Sequence, residues 1–573
     1  MGSNQNIKNN RLKDLLQFIS AVLIVISLVV LSSFIRIRID LTEDKRFTLS
    51  GPTREILSGL KNDIYVQVYL DGEMPIPFKR LKRSVKEMLE EFRIASQRKV
   101  DYEFINPADV KNAGEREARF RELIEKGLNP VNVQAGDEEG GSSQKIIFPG
   151  MIMNYNGVEI PVNFLRNNIN IPAEQNLLHS IEGLEYELIQ TISTLSSDTI
   201  FKVAFIEGHG EYSEIEVADI TLGLARFFTV DRGIIGGKTG ILDKYSAVII
   251  AGPGNEFPET DKFVLDQYIM NGGKVLWLYE EVAVNTDSLI YGETVALYRP
   301  LNIEDQLFRY GARVNPLLIQ DMECMLIRLT VMSGGTPQQV VPAPWYYFPL
   351  LTPSQKHPIT RNLNKVKGEY VNFIDTVGLD PAISKKILLS TSSFTRLLSP
   401  PFIIRLKEAE VIYSENEFNK SNLPVAVLLE GVFPSAFRNR MTYDLISDKN
   451  LKVKTESVET KMIIVADGDI IRNEVRRTGT SVTPIPLGQD RYTGQIFGNR
   501  DFILNCLNYL VDENGIMELR SRELKLRLLD RNKIKTERMK WQLINMAVPA
   551  IMVILAGILY LFIRRKIYVK NYQ

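Results

Sequence analysis

Two uncharged apolar runs, one near each end of the chain, constrain the fold more than any other feature. Residues 15–35 read LLQFISAVLIVISLVVLSSFI, and residues 543–563 read LINMAVPAIMVILAGILYLFI. As a helix at 1.5 Å per residue, each run is about 30 Å long, which matches the hydrocarbon core of a bilayer. A cleaved signal peptide usually has a shorter apolar region, and a proline such as Pro549 is tolerated in membrane helices. The sequence therefore predicts two transmembrane helices, with tails 1–14 and 564–573 on the side opposite to residues 36–542.

Charge does not decide the orientation of these two helices. Basic residues precede and follow both runs, and long domains are translocated largely regardless of their charge. Over the whole chain, 69 Lys and Arg balance 69 Asp and Glu. A neutral chain has no overall field to attract nucleic acid, which argues against a sequence-independent DNA or RNA binder.

The supply of metal-binding and nucleophilic residues is small. The chain has two cysteines and three widely separated histidines, so it offers neither a disulfide framework nor a cysteine-rich zinc module. It also lacks a P-loop and a GxSxG nucleophile motif. We predict a protein without a catalytic site, cofactor or metal.

Residues 36–172 alternate between strand and helix patterns. Strands are predicted at 64–70 and 100–105, helices at 78–97 and 115–126, and a final hairpin turns at Asn156-Gly157, a strong type I′ turn signal. This order is that of a thioredoxin-like unit, although the redox CxxC motif is missing. The apolar spacing of residues 173–198 predicts one connector helix into the next domain.

Residues 199–482 are predicted to form a second α/β domain. Strands alternate with helices from FKVAFIEGHGE onward, which favours parallel βαβ units in a Rossmann-like or flavodoxin-like sheet. Further strand candidates, KKILLSTSS, VAVLLEGVF and KMIIVADGD, extend the same body. The predicted fold class is therefore α/β, with two single transmembrane helices flanking a large multi-domain region.

The sequence around His209 is the best candidate for a site. Glu207, His209 and Glu211 follow a predicted strand end, which is where open α/β sheets bind ligands. They could form a ligand or metal site, or a tight glycine turn whose polar groups cap the next helix; we favour the turn. Asp467-Gly468-Asp469 could suggest calcium, but no glutamate stands at the EF-hand offset.

Residues 483–542 are predicted to form a helical stalk beside the membrane. Its basic members could rest on anionic headgroups or on a partner subunit, or could simply form a solvated helix face. The stalk residues singled out are Arg520, Arg522, Lys525 and Arg527.

The apolar runs contain no polar residues suited to a transport path, since Gln17 and Asn545 lie near their ends. Small residues within them are expected to pack against a permease, as small residues do between membrane helices. These are Ser20, Ala21, Ser27, Ala547, Ala550, Ala556 and Gly557.

Several long strings are distinctive as a set: DLTEDKRFTLS, FIEGHGE, VAVLLEGVFPSAF, DGDIIRN, PLGQDRYTGQIFGNRDFILNCLNYL and LRSRELKLRLLDRNKI. With these strings the chain resembles the gliding-motility-associated ABC transporter substrate-binding-like proteins (GldG type) over nearly its whole length. The central region also resembles a domain shared with an intraflagellar-transport component.

The resemblance implies an auxiliary subunit anchored in a bacterial inner (cytoplasmic) membrane and in contact with its lipids. Its large domain would be periplasmic, and separate ATPase and permease subunits would complete the transporter, with two copies per complex as one option. No cofactor and no nucleic acid partner are implied. Two alternatives stay open: a periplasmic glycan- or peptide-binding module, and a hydrolase related to glutamine-amidotransferase-like domains.

Overall fold

The computed structural model describes the chain in segments that form two units. The units are Met1–Arg522 and Glu523–Gln573, and each is described by itself. The described residues are 16, 18–20, 22–24, 26–27, 48–110, 112–136, 142–165, 172–197, 200–331, 339–378, 380–438, 440, 453–479, 481–521 and 531–569.

The N-terminal part of the first unit is a small mixed sheet with helices. Its elements are α1 Gly51–Ser58, β1 Ile64–Val68, α2 Ile76–Ala95, β2 Val100–Phe104, α3 Ala113–Glu125, β3 Val131–Gly136, β4 Ser142–Ile147, β5 Gly150–Tyr155 and β6 Val158–Asn163. The sheet order is β2-β1-β5-β6, in which β1 is parallel to β2 and antiparallel to β5, and β5 is antiparallel to β6. Strands β3 and β4 pair with each other.

Local sequence explains these elements. Four apolar residues of α2 (Leu81, Val85, Leu89 and Phe92) recur at helical spacing and form its buried face. The predicted hairpin at Asn156-Gly157 is confirmed: both residues have positive φ, and β5 pairs with β6 across the turn.

The predicted single connector helix is wrong in one respect, because it is two helices. These are α4 Ala173–Glu182 and α5 Leu184–Ser196, which meet at Gly183. Glycine is a poor helix former, and the Gly183 N–H bonds back to the carbonyls of His179 and Ile181.

A second, larger sheet follows in the same unit. The next elements in chain order are β7 Lys202–Glu207, α6 Ala218–Leu224, β8 Thr229–Ile234, β9 Ala247–Ala251, α7 Glu259–Met270, β10 Lys274–Leu278, β11 Val282–Val284, β12 Glu293–Tyr298, α8 Glu304–Tyr310, β13 Ala312–Asn315, β14 Leu318–Asp321, β15 Cys324–Val331, β16 Gln339–Pro353 and β17 Val366–Lys367. They are followed by β18 Phe373–Thr376, β19 Ile383–Ser390, β20 Thr395–Leu398, β21 Phe402–Arg405, β22 Pro424–Gly431, β23 Thr460–Val465, β24 Val475–Thr478, β25 Ser481–Pro484 and α9 Asn499–Val511.

The large sheet has ten strands in the order β15-β16-β19-β22-β23-β10-β9-β7-β8, with β17 paired to β16. Strands β8, β7, β9, β10 and β23 are parallel to their neighbours in that series, and β22, β19, β16 and β15 extend the sheet antiparallel. All three strand strings predicted to extend the body lie in this sheet, as β19, β22 and β23. Because β8 lies on one side of β7 and β9 on the other, the strand order reverses between β7 and β9.

Buried apolar side chains join the two sheets. One core cluster runs from Leu49, before α1, to Met517, after α9, and includes Val66 of β1, Leu188 of α5 and Ile249 of β9. One hydrophobic cluster therefore includes residues of both the N-terminal sheet and the large sheet.

The predicted stalk, residues 483–542, differs from the structure in its first half. Helix α9 lies in the body, where Phe502, Ile503, Cys506, Leu507 and Leu510 are fully buried. These residues form one apolar face of α9 that packs on the sheet, whereas a solvated stalk helix would have no such buried face.

The second unit contains one long helix, α10 Arg531–Val569, with Pro549 inside it. Its segment Thr536–Ile563 contains an 18-residue apolar window with a mean hydropathy of 2.6, and this window is entirely exposed. Within the described residues it is the one helix that is long and apolar enough to cross a bilayer. Most of the first predicted span, 15–35, lies outside the described residues, and its described positions between Leu16 and Ser27 are helical and exposed.

Candidate functional site at the carboxyl edge of the parallel strands

The strand order reverses between β7 and β9, and such a point is where open α/β sheets usually bind ligands. His209 lies two residues after β7, at this edge of the sheet. Its carbonyl accepts the N–H groups of Gly254 and Asn255, which follow β9, at 2.8 Å each. The backbone alone therefore ties the two loops together.

The His209 side chain is buried between two carboxylates. Its Nδ1 lies 2.9 Å from Glu211 Oε1, and its Nε2 lies 3.0 Å from Asp261 Oδ2 at the start of α7. The ring stacks on Phe257 with a centroid separation of 3.8 Å and an interplanar angle of 12°. Both ring nitrogens are thus occupied by the chain's own acceptors.

This arrangement favours the charged form of the imidazole. Burial alone lowers the pKa of His209, but the hydrogen bonds and charges of Glu211 and Asp261 outweigh it and leave the pKa raised. An imidazolium with both N–H groups donated to carboxylates has no lone pair to offer a metal or a substrate proton. The geometry makes His209 an ionic cross-link between two loops and α7.

Of the three predicted site residues, the structure brings two together and separates the third. Glu207 points to Arg232, whose Nε lies 2.7 Å from its Oε1. Gly208 and Gly210 have φ values of +113° and +77°, as a tight turn requires. The expected helix cap is wrong, because Ser213 and Glu216 form the capping box of the following 3-10 helix, Glu214–Val217.

Sequence reasoning singled out Asp467 and Asp469 but missed that they form an acidic cluster with Glu280 beside this turn. Asp467 and Asp469 follow β23, and Glu280 follows β10, so the carboxyl ends of neighbouring strands bring the three together. Asp469 Oδ1 accepts the Tyr212 hydroxyl at 2.8 Å, and Glu280 Oε2 accepts the Gly468 N–H at 2.7 Å. Acidic residues just past two predicted strand ends were the signal that could have found it.

Burial and mutual repulsion raise the pKa of two carboxyl groups in the cluster. Burial first, and then the charges of Asp469 and Glu280, raise the pKa of Asp467 well above its ordinary value. Burial also raises the pKa of Asp469, with added repulsion from Glu369 and Glu280. Cations partly compensate: Arg299 pairs with Glu280 at 2.6 Å, and Arg472 with Asp469 at 3.1 Å.

The loops at this edge pack directly on one another. A Cβ added to Gly252, which follows β9, would lie 2.3 Å from the Tyr212 ring, and one added to Gly468 would lie 2.9 Å from the Gly252 Cα. The crevice at the point of strand reversal is therefore filled by Tyr212 and by backbone.

In the described segments, no group of three or more His, Cys, Asp and Glu side chains is arranged to hold a metal ion. The carboxylates are instead bonded to backbone N–H groups, Arg299, Arg472 and Tyr212. What this edge can do chemically is hold four loops in a fixed arrangement.

The predicted membrane-proximal residues fall in three places. Ala547, Ala550, Ala556 and Gly557 are exposed on α10, as are Ser20 and Ser27 on the N-terminal helical stretch, whereas Ala21 lies outside the described residues. Arg522, Lys525 and Arg527 also lie outside them. Arg520 differs from the stalk prediction: it is buried in the 3-10 helix Ile516–Ser521, where its guanidinium donates to Asn505 and to the Arg361 carbonyl.

Comparison with known proteins assigns the family. Residues 201–506, more than half of the chain, match the family described as ABC-type uncharacterized transport system, an auxiliary family of ABC transport. The chain belongs to this ABC-transport auxiliary family. The matched segment spans the large sheet and ends within α9. Residues 43–154, around the N-terminal sheet, match a domain of unknown function, DUF7088.

One curated relative of this auxiliary protein is an uncharacterized protein of Borreliella burgdorferi. It is 24% identical over 353 residues, which are 59% of this chain and 60% of the relative. The chain thus spans about three fifths of the length of the curated relative it matches.

Two solved structures show weak likeness. The mmIFT52 N-terminal domain matches with a TM-score of 0.29 and 13% identity, covering 54% of this chain and 96% of that domain. A GH42 beta-galactosidase matches with a TM-score of 0.16 and 8% identity, covering 53% of this chain and 44% of the enzyme. At these scores neither likeness bears on fold or function.

Proposed function

We propose that this protein is a non-catalytic, membrane-anchored periplasmic subunit of an ABC transport complex of the gliding-motility type. The observation that carries the proposal is the family match over the large sheet, in a chain that also contains the exposed apolar helix α10. Family membership supports association with an ABC transporter, and α10 supports attachment to a membrane.

The proposed role is mechanical or adaptor-like. Open α/β proteins hold their ligands at the carboxyl edge of the sheet. In this chain the polar side chains at that edge bond to one another. We further propose that the N-terminal sheet is thioredoxin-like, since its order is that of the thioredoxin unit, and that the parallel strands are flavodoxin-like. On this reading both folds serve as scaffolds.

The proposed anchors are 15–35 and 543–563, with both tails cytoplasmic and residues 36–542 in the periplasm. The ATPase and permease would be separate chains, as the family resemblance implies. A permease would pack against small residues of α10 such as Ala556 and Gly557.

Co-purification from mild detergent tests the role. An ATPase and a multispan permease should elute with the full chain, and recovery of the chain alone would contradict the proposal. The matched control is the same chain ending at residue 521, which lacks α10 and should lose both partners while retaining the body.

Cysteine labelling in intact spheroplasts tests the orientation. A single cysteine placed at residues 137–141, in a background without Cys324 and Cys506, should react with a membrane-impermeant maleimide, whereas one placed at 571–573 should react only after lysis. Protection of the first cysteine would place the large domain in the cytoplasm.

A further inference from the structure

A cleft of about 600 Å³ lies in the first unit, away from the sheet edge described above. Its walls come from the β5–β6 turn, one face of α5, the segment between α6 and β8, and the residues from the end of α9 to Met517. Pockets that hold small ligands occupy about 300–1,000 Å³, so this cleft has the volume of a binding site.

One face of α5 supplies the polar wall. Tyr186, Gln190 and Ser193 follow one another at helical spacing and line the cleft. The Gln190 side-chain amide makes no hydrogen bond with the described residues, and the same is true of the Asn508 amide on α9, across the cleft. Each amide offers a donor and an acceptor to an occupant.

Arg226 supplies a positive charge to the wall of the cleft. It is exposed, and it forms no ion pair or hydrogen bond within the described part of the chain. The nearby Asp219 is engaged by the Leu487 N–H at 2.9 Å and by Arg500 Nε at 3.3 Å. Burial and the charge of Arg500 lower the pKa of Arg226, and the charge of Asp219 partly offsets this shift.

The two carboxylates of the lining are bonded to other groups. Both oxygens of Asp512 accept backbone N–H groups, from Ile516 at 3.2 Å and from Met517 at 2.8 Å. Glu513 pairs with Lys274 at 3.8 Å. With Lys61 and Arg226 as the basic residues of the lining its formal charges balance, but neither carboxylate forms an ion pair with Arg226.

Apolar side chains form another part of the lining, and two of them are exposed to solvent. Val158 on β6 is 57% exposed, and Ile200, just before β7, is 64% exposed. Phe227 and Tyr155 complete the apolar wall. Burying such side chains under an apolar ligand is favourable.

We propose that this cleft binds a short peptide with apolar side chains, whose terminal carboxylate pairs with Arg226 and whose backbone amides bond to Gln190 and Asn508. Guanidinium and carboxylate match in charge and in bidentate geometry. A fatty acid would satisfy Arg226 and the apolar wall, but it would leave both side-chain amides desolvated and unpaired, which is unfavourable.

Calorimetric titration of the purified full chain in lipid nanodiscs tests the proposal. The probes are acetyl-leucyl-phenylalanine, its C-terminal amide and octanoate. The free acid should bind, and the amide should bind about tenfold or more weakly because it lacks the charge that Arg226 meets. Octanoate should bind more weakly than the acid, since it cannot use Gln190 or Asn508.

Two variants and one control complete the test. Arg226→Gln should abolish the difference between acid and amide, Ser193→Trp should block the cleft to both, and Arg116→Gln, on the exposed face of α3, should change neither. Thermal unfolding checks that the variants are folded. Equal binding of acid and amide to the wild type, octanoate binding as tightly as the dipeptide, or no peptide binding at millimolar concentration would each overturn the proposal. None of these outcomes depends on the transport role.

Discussion

The hydroxyl of Tyr186 on α5 donates to the sulfur of Met517 at 2.9 Å, joining positions 331 residues apart. Arg520, three residues further on, places its guanidinium 5.3 Å from the centre of the same tyrosine ring. Met517 and Arg520, near the end of the described part of the first unit, therefore both contact α5, the helix that leads from the small sheet to the large one.

Arg520→Ala should therefore destabilise the body. The change removes a buried guanidinium together with its hydrogen bonds to Asn505 and to the Arg361 carbonyl. We expect the free energy of unfolding to fall by about 2–4 kcal/mol. Chemical denaturation measures it, and Arg116→Ala, exposed on α3, is the control that should cost less than about 0.5 kcal/mol. If the two changes had equal effects, Arg520 would be an exposed residue, as the stalk prediction requires.

His209→Ala should reduce stability without removing any activity or bound metal. The substitution leaves the buried carboxylates of Glu211 and Asp261 without their cation, which typically costs about 3–5 kcal/mol. Denaturation and metal analysis of the purified protein measure the two effects. His179→Ala, half-buried on α4, should lose less stability. Stoichiometric metal in the wild type that vanished in His209→Ala would instead make His209 a ligand.

Gly252→Ala should be far more harmful than a second glycine change at similar φ. Gly252 has φ +61° and would place its Cβ 2.3 Å from the Tyr212 ring, whereas Gly479 has φ +60° and nothing within 4 Å. Both changes introduce similar backbone strain, so the difference between them isolates the clash. We expect Gly252→Ala to lose at least about 2 kcal/mol more than Gly479→Ala, measured by thermal unfolding. Similar losses would mean that Tyr212 moves aside freely.

Glu281 should make the body less stable as pH rises. Burial, and then the charge of Glu304, raise the pKa of Glu281 to about 8 from an ordinary 4.5. Between these values the folded protein holds a proton that the unfolded chain has released, so the free energy of unfolding falls as pH increases through this window.

The matching variant is Glu281→Gln, which cannot ionise. It should be more stable than the wild type by about 1–3 kcal/mol at pH 8.5, with the difference shrinking towards pH 5. Denaturation curves at several pH values show the trend, and Glu293→Gln, exposed on β12, should give a nearly flat difference. An advantage that grew towards low pH would contradict the raised pKa.

The double change Ala556→Leu and Gly557→Leu should release the permease while the body stays folded. Both small residues lie on the exposed surface of α10, and adding bulk there would separate helices that pack closely. Pull-down measures the complex, and thermal unfolding checks the body. Val553→Leu, one turn earlier, adds little bulk and should keep the complex. An undiminished yield from the double variant would place the contact elsewhere.

Local signals predicted the strands and helices well. The Asn156-Gly157 turn, the apolar face of α2 and the buried strands β9 and β10 each depend on residues close in sequence. The break at Gly183 was missed because a long apolar period on either side outweighed one glycine. Helix α9 was assigned to a stalk because its proximity to α10 in sequence concealed the sheet it covers.

The site was harder, because its partners are distant in sequence. His209 and Glu211 could be named from the glycine turn, but Asp261 lies 52 positions away and is paired through the placement of α7. The cluster of Asp467, Asp469 and Glu280 forms because β10 and β23 are neighbours in the sheet. Local sequence patterns do not predict that pairing. The cleft near Arg226 likewise exists only after four segments meet.

The common core from Leu49 to Met517 has a practical consequence for dissection of this chain. A fragment limited to residues 199–482 would lose Leu188 and Ile192 of α5 and Leu507 and Leu510 of α9, and would expose the apolar surfaces they cover. We expect such a fragment to aggregate, so functional mapping by truncation would mistake insolubility for loss of function. Point substitutions in the intact chain avoid that confusion.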